Sequence, residues 1–235
     1  MTNKIAYIPQ IDGLRAIAVL SVILFHANFN FYNINFKGGY VGVDIFFVIS
    51  GYLITKLILI EQNKGEFTFS NFFLRRIRRI MPALLTVAAV TYPFAIFFFL
   101  PLPLLEYVGS LISGIFFTSN FFFYFNEINY YASPSIYKPL LHYWSLSVEE
   151  QFYLIFLIFF YFLLKLKKDL NFNLFIIFLV ISLSFIINVF FISKGHRDVI
   201  FFMFPARVWQ FGIGVLIAML PPLKIKNPLL DFFYG

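Results

Sequence analysis

The chain has no cysteine among its 235 residues. Without thiols there is no disulfide framework, no thiolate metal site and no cysteine nucleophile. Charge is nearly as scarce. Asp, Glu, Lys and Arg make up 12% of the chain, against about 25% in a soluble domain. The three histidines are scattered, and neither a His-x-x-x-His nor a Glu-x-x-His pair occurs, so no metal site is expected. No repeat of solenoid period and no low-complexity linker marks a second domain, so residues 1–235 read as a single membrane-embedded domain. The amino terminus, MTNKIAYIPQ, holds one Lys, and the apolar run behind it lacks a small-residue cleavage site. No cleavable signal peptide is therefore expected.

What the chain has instead is apolar bulk: 61% hydrophobic residues, including 37 Phe. Seven apolar segments can be drawn, at about 11–31, 41–60, 82–103, 107–126, 148–164, 172–192 and 199–220. The expected fold is all-α, a polytopic transmembrane bundle of six to seven membrane segments. Its loops divide by charge. Lys4, Lys56, Lys64, Arg75, Arg76, Arg78, Arg79, Lys165, Lys167, Lys168, Lys224 and Lys226 fall in one set, and Lys37, Lys138, Lys194 and Arg197 in the other. The positive-inside rule puts the first set, and the amino terminus, in the cytoplasm. The net charge of +7 then needs no nucleic-acid partner. An even number of crossings must separate Arg79 from Lys165, so the weakest segment, 107–126, reads as re-entrant or interfacial. The residues from Asn126 to Tyr143 then lie outside. Pro82 reads as a helix-start proline, while Pro93, Pro101 and Pro103 would kink or end the third segment. The carboxyl end, KIKNPLLDFFYG, begins another apolar run, and the domain reads as incomplete there.

Ionisable groups inside a bilayer are expensive and mark functional sites by default. The first segment carries Asp12, Arg15 and His26. Arg15 and His26 are eleven positions apart, which is roughly three turns plus about 20°, so both lie on one helix face about 16 Å apart. The ordinary alternatives are a snorkelling arginine and a satisfied core histidine. In the second segment, Asp44 could pair with His26 or Arg15, and Ser50 with Gly51 favours close helix packing. Arg75–Arg79 is either a topology anchor for anionic lipid or a phosphate clamp, with Arg76 and Arg79 on one helix face. In HYWSLSVEEQFY, Ser147 and Glu150 have capping-box spacing. Glu149, flanked by Ser145 and Tyr153 at i−4 and i+4, could orient a histidine or accept a substrate hydroxyl. Arg207, beside Trp209 and Gln210, could be a counter-charge for Glu149 or Asp12, or line a polar cavity.

DGLRAIAVLSVILFH, GVDIFFVISGY, FFLRRIRRIMPALL and LLHYWSLSVEEQFYL, in that order, resemble the membrane-bound acyltransferase-3 family of bacterial saccharide O-acyltransferases. PARVWQFGIGVLIA resembles a later helix of that family. The resemblance implies transfer of an acyl group, commonly acetyl, from cytoplasmic acyl-CoA to a hydroxyl of a carbohydrate beyond the bacterial inner membrane. Lipopolysaccharide, capsule and other envelope glycans are the acceptor class. The family's Arg and His fall on Arg15 and His26, and its Phe-Phe-x-x-Ser-Gly on Phe46, Phe47, Ser50 and Gly51. Its Arg-x-x-Arg falls on Arg76 and Arg79, and its tryptophan and glutamate helix on Trp144, Ser145 and Glu149. His26 is thereby expected to be a general base or transient acyl carrier, with Glu149 or Asp44 fixing its tautomer. Arg76 and Arg79, helped by Arg15, are expected to hold the CoA phosphates. Two rival readings are a transporter with a proton or anion path through Arg15, His26 and Glu149, and a non-catalytic truncated partner of a complete enzyme.

Overall fold

A computed structural model describes residues 8–27, 30–31, 34–35, 37–127, 138–166 and 169–221. Lys4, Lys167, Lys168, Lys224, Lys226, most of the expected outer stretch and the carboxyl end from 222 lie outside the described residues. Helix α1 spans Pro9–His26. A pair of two-residue strands follows, β1 Asn30–Phe31 and β2 Ile34–Asn35, antiparallel with Asn30 opposite Asn35. Then come α2 Val41–Asn63, α3 Phe69–Phe98, α4 Pro101–Ile115, α5 Ser119–Glu127, α6 Tyr143–Lys165, α7 Leu170–Ser193, α8 Arg197–Phe202 and α9 Phe204–Met219. Five of these helices, α1, α2, α3, α6 and α7, are long and apolar enough to cross a membrane. The chain is an all-α, multi-pass membrane bundle.

Helix α6 forms the axis of the core. Phe152 stacks on Phe211 of α9 with ring centroids 4.2 Å apart, and Phe211 stacks on Phe47 of α2 at 4.4 Å. Trp144, Phe156 and Phe160 extend the same buried cluster along α6. Within lipid the helices gain little from leaving an apolar solvent, so close packing decides which faces meet. Two glycines set that closeness. A Cβ on Gly51 would strike the backbone carbonyl of Phe211, and one on Gly214 would strike that of Val48. Helices α2 and α9 consequently touch backbone to backbone, as the packing reading of Gly51 requires.

Several boundaries differ from the expected ones. Pro82 does not open the third helix: α3 starts at Phe69, with the Thr68 hydroxyl accepting from the Asn71 N–H at 3.4 Å, and carries the whole arginine cluster inside it. Arginine is a good helix former, and the cap sits upstream of the cluster, so nothing stops the helix before the proline. The Thr86 hydroxyl donates to the Pro82 carbonyl at 2.7 Å. The helix runs through Pro93, which therefore does not end it, and stops at Phe98, ahead of Pro101. The 107–126 segment is divided between α4 and α5, each too short to span a core that needs about 20 helical residues. The break falls at Phe117, which has φ +54°, an uncommon backbone for a residue with a Cβ. The last segment is also divided, at Met203, because Pro205 opens α9.

The capping box at Ser147 and Glu150 does not form. Helix α6 begins earlier, at Tyr143, with no side-chain cap at His142. The Ser147 hydroxyl instead donates to the Tyr143 carbonyl at 2.9 Å and accepts from the Ser119 N–H at 3.1 Å, tying α5 to α6.

Candidate functional site

A cavity of about 630 Å³ lies between α1, α2, α3 and α6. Its wall holds Asp12 and Arg15 from α1, Ser50 from α2, Arg75, Arg76 and Arg79 from α3, and Glu149 and Tyr153 from α6, among apolar side chains such as Phe46 and Leu53. Six of the sequence-derived candidates, Asp12, Arg15, Ser50, Arg76, Arg79 and Glu149, thus meet in one space.

The charges of this cavity are unequally committed. Arg15 Nη1 donates to Asp12 Oδ1 at 3.1 Å, one turn away on α1. Arg75 Nη2 donates to both oxygens of Glu61, at 2.8 and 3.0 Å, and Glu61 is buried. That fork joins the end of α2 to the start of α3. Arg76 and Arg79, by contrast, have no carboxylate within ion-pair distance among the described residues. The Arg76 guanidinium rests over the Tyr153 ring, 3.8 Å from its centroid, a cation–π contact that leaves its N–H edge free.

Glu149 is claimed by hydroxyls. Ser50 Oγ donates to its Oε1 at 2.5 Å, and the Tyr153 hydroxyl donates to the same oxygen. Tyr153 is wholly buried. The neighbouring Glu150 has a buried Oε1 without a hydrogen-bond partner. The cavity volume lies in the range of small-molecule pockets, about 300–1,000 Å³, and two unpaired guanidinium forks suit phosphate oxygens. The residues present therefore suit a phosphate-bearing anion. Among the described residues no three His, Asp or Glu side chains converge where a metal could be held.

The other candidates lie elsewhere. Asp44 does not reach His26 or Arg15. Its Oδ1 accepts from Arg207 Nη1 at 3.0 Å and Gln210 Nε2 at 2.8 Å. Arg207, 11% exposed, is therefore the counter-charge of Asp44 and not of Glu149 or Asp12. It also faces the Trp144 and Phe201 rings, each 5.6 Å away. This knot joins α2, α6, α8 and α9 at one end of the bundle. Ser145 donates to the His142 carbonyl at 3.1 Å and takes no part in the cavity.

His26 also stands apart from the cavity. It is exposed at the end of α1, its ring perpendicular to that of His142 with centroids 4.7 Å apart. Neither Glu149 nor Asp44 hydrogen-bonds to it; their Oε1 and Oδ1 atoms bond Ser50 with Tyr153 and Arg207 with Gln210. Partial burial, and next the charge of His26, push the His142 imidazole below its usual value. His142 was not singled out by spacing, since it sits between a loop and a helix and its partner is far away in the chain. Glu61 was likewise missed, although an acid at the basic end of a membrane helix was a usable signal. Gln210 was legible only as a neighbour of Arg207.

A family model described as an acyltransferase domain, that of acyltransferase-3, matches residues 8–234. A peptidoglycan O-acetyltransferase of Listeria monocytogenes is 35% identical over 225 residues, covering 95% of this chain and 35% of that protein. A Bacillus subtilis protein named "Putative peptidoglycan O-acetyltransferase" is 38% identical over 228 residues, with 95% and 35% covered. A Staphylococcus aureus protein named "Putative O-acetyltransferase" is 38% identical over 231 residues, with 96% and 37% covered. The chain spans about a third of the length of these curated relatives. No solved structure matches it.

Proposed function

The chain belongs to the acyltransferase-3 family, and on that premise we propose that it moves an acyl group, in the first place acetyl, from acyl-CoA to a hydroxyl of a cell-envelope glycan. The names of the relatives make peptidoglycan the first acceptor to try. The setting proposed is the bacterial inner membrane, with the amino terminus in the cytoplasm and the acceptor on the other side.

The observation that carries this reading is the pair of uncommitted arginines, Arg76 and Arg79, in a cavity whose other two arginines are ion-paired. An anchor for anionic lipid would also leave arginines unpaired, but it gives no reason for Arg76 and Arg79 to line a cavity with Ser50 and Glu149. Here two forks are left for an anion, and Arg76 and Arg79 would hold the phosphates of the donor. The bound donor supplies the activated thioester. Arg15 lies in the same cavity, and His26 follows it by about 16 Å along α1. An imidazole can take the proton of an attacking hydroxyl as a general base. Glu149, held by Ser50 and Tyr153, serves the donor end and not His26.

The test is transfer from labelled acetyl-CoA to peptidoglycan fragments by the chain in proteoliposomes. Transfer is expected, and His26→Ala should lower it by about 10²–10⁴-fold, the usual worth of a general base. Turnover unchanged by that substitution would remove the base role. Absence of any acetyl-CoA binding would favour a non-catalytic partner, and solute flux without CoA a transporter.

A further inference from the structure

Resting on this reading of the cavity, we propose that Tyr153 is a positioning residue of the donor site, whose hydroxyl keeps Glu149 occupied so that Arg76 stays available to a phosphate. Arg76 and Glu149 line one cavity, yet they form no ion pair. An arginine beside a carboxylate readily pairs with it by charge-assisted hydrogen bonds unless something intervenes. What intervenes is Tyr153. Its ring lies under the Arg76 guanidinium at 3.8 Å, and its hydroxyl donates to Glu149 Oε1. Ser50 gives a second hydroxyl to that oxygen at 2.5 Å. One face of the tyrosine thus carries the cation while its polar end, with Ser50, holds the Oε1 oxygen of the anion. The helix makes this possible, because Glu149 and Tyr153 are four apart on one face of α6.

The arrangement separates two jobs that resemble one another. Arg15 and Arg75 are joined to Asp12 and Glu61 and act as ties between turns and helices. Arg76 is kept out of such a tie by a phenol. Remove the hydroxyl, and Glu149 becomes free to pair with Arg76 and to compete with the incoming phosphate.

Binding of two probes, acetyl-CoA and inorganic pyrophosphate, to the full chain in lipid nanodiscs tests this without relying on turnover. Tyr153→Phe keeps the ring under Arg76 and should weaken binding of both probes by about tenfold, the loss of one charge-assisted contact. Ser50→Ala, which leaves the ring untouched, should act in the same direction. Adding Glu149→Gln to Tyr153→Phe should restore binding to within about twofold of Glu149→Gln alone, because the competing charge is gone. An unchanged affinity in Tyr153→Phe overturns the proposal. So does a loss that Glu149→Gln fails to rescue, since that loss would be mere unfolding of the pocket. Wild-type chain that binds pyrophosphate but not acetyl-CoA overturns the donor reading alone, and the pyrophosphate series then decides the role of Tyr153. Wild-type chain that binds neither overturns both.

Discussion

Breaking the Asp44–Arg207 pair strands a guanidinium that is 11% exposed, against aromatic faces that offer no second acid. Asp44→Asn should therefore cost about 1–3 kcal/mol, less than the full price of a wholly buried pair because the carboxylate is itself 30% exposed. Asp12→Asn, at a pair 31% and 46% exposed, should cost less than about 1 kcal/mol. Thermal unfolding of the two variants in one detergent checks the ranking. His142 adds a pH dependence. Its folded imidazole titrates below the ordinary value of about 6.5, so the unfolded chain takes up the proton first. Stability should be level above about pH 6.5 and fall as the pH drops through the lower, folded value. Melting scans between pH 8 and 5 should show that fall, and His142→Gln should shrink it. At this scale the sequence is readable one residue at a time. Arg15, Ser50, Arg76, Arg79 and Glu149 each stand out as polar groups in apolar surroundings, but their convergence does not. Ser50 and Glu149 are 99 positions apart, and Asp44 and Arg207 are 163 apart. No local period links such pairs, and a carboxylate with several reachable cations is assigned only by packing.

Helices α2 and α9 should be the least tolerant pair in the bundle. Gly51→Val would press a branched side chain onto the Phe211 backbone, which cannot swing aside as a side chain would. A loss of about 1–3 kcal/mol or more is expected, measured by thermal unfolding and by the yield of monodisperse protein. Gly13→Ala is the control, since nothing lies within 4 Å of the added Cβ. Apolar length alone gave α2, α6 and α7 to within a few residues, because nearly every position in a membrane helix is apolar. The start of α3 was hidden for the same reason. Apolar runs report the buried part of a helix, and the arginine-bearing turns of α3 look like a loop on that measure. Crossing parity marks 107–126 as a segment that does not span, but the turn between α4 and α5 depends on Phe117 adopting a positive φ that no residue type announces.

For the whole molecule, the missing cysteines offer a direct experiment on orientation, since any introduced thiol is the sole thiol of the chain. An impermeant maleimide applied from outside intact cells should label Lys194→Cys, after α7, and spare Asn63→Cys, at the end of α2. The reverse pattern would invert the orientation proposed from the loop charges. Helix α1 raises a practical matter for anyone preparing the protein. It brings both Arg15 and His26, yet Ala18 is its sole buried residue. Its main seam is with α2, where Gly42 meets the Ala18 carbonyl, so a surfactant that wedges into that single seam should release the whole helix while the remaining rods stay assembled. Samples would then keep their ellipticity and their elution volume but lose the proposed transfer, and returning native lipid should bring it back.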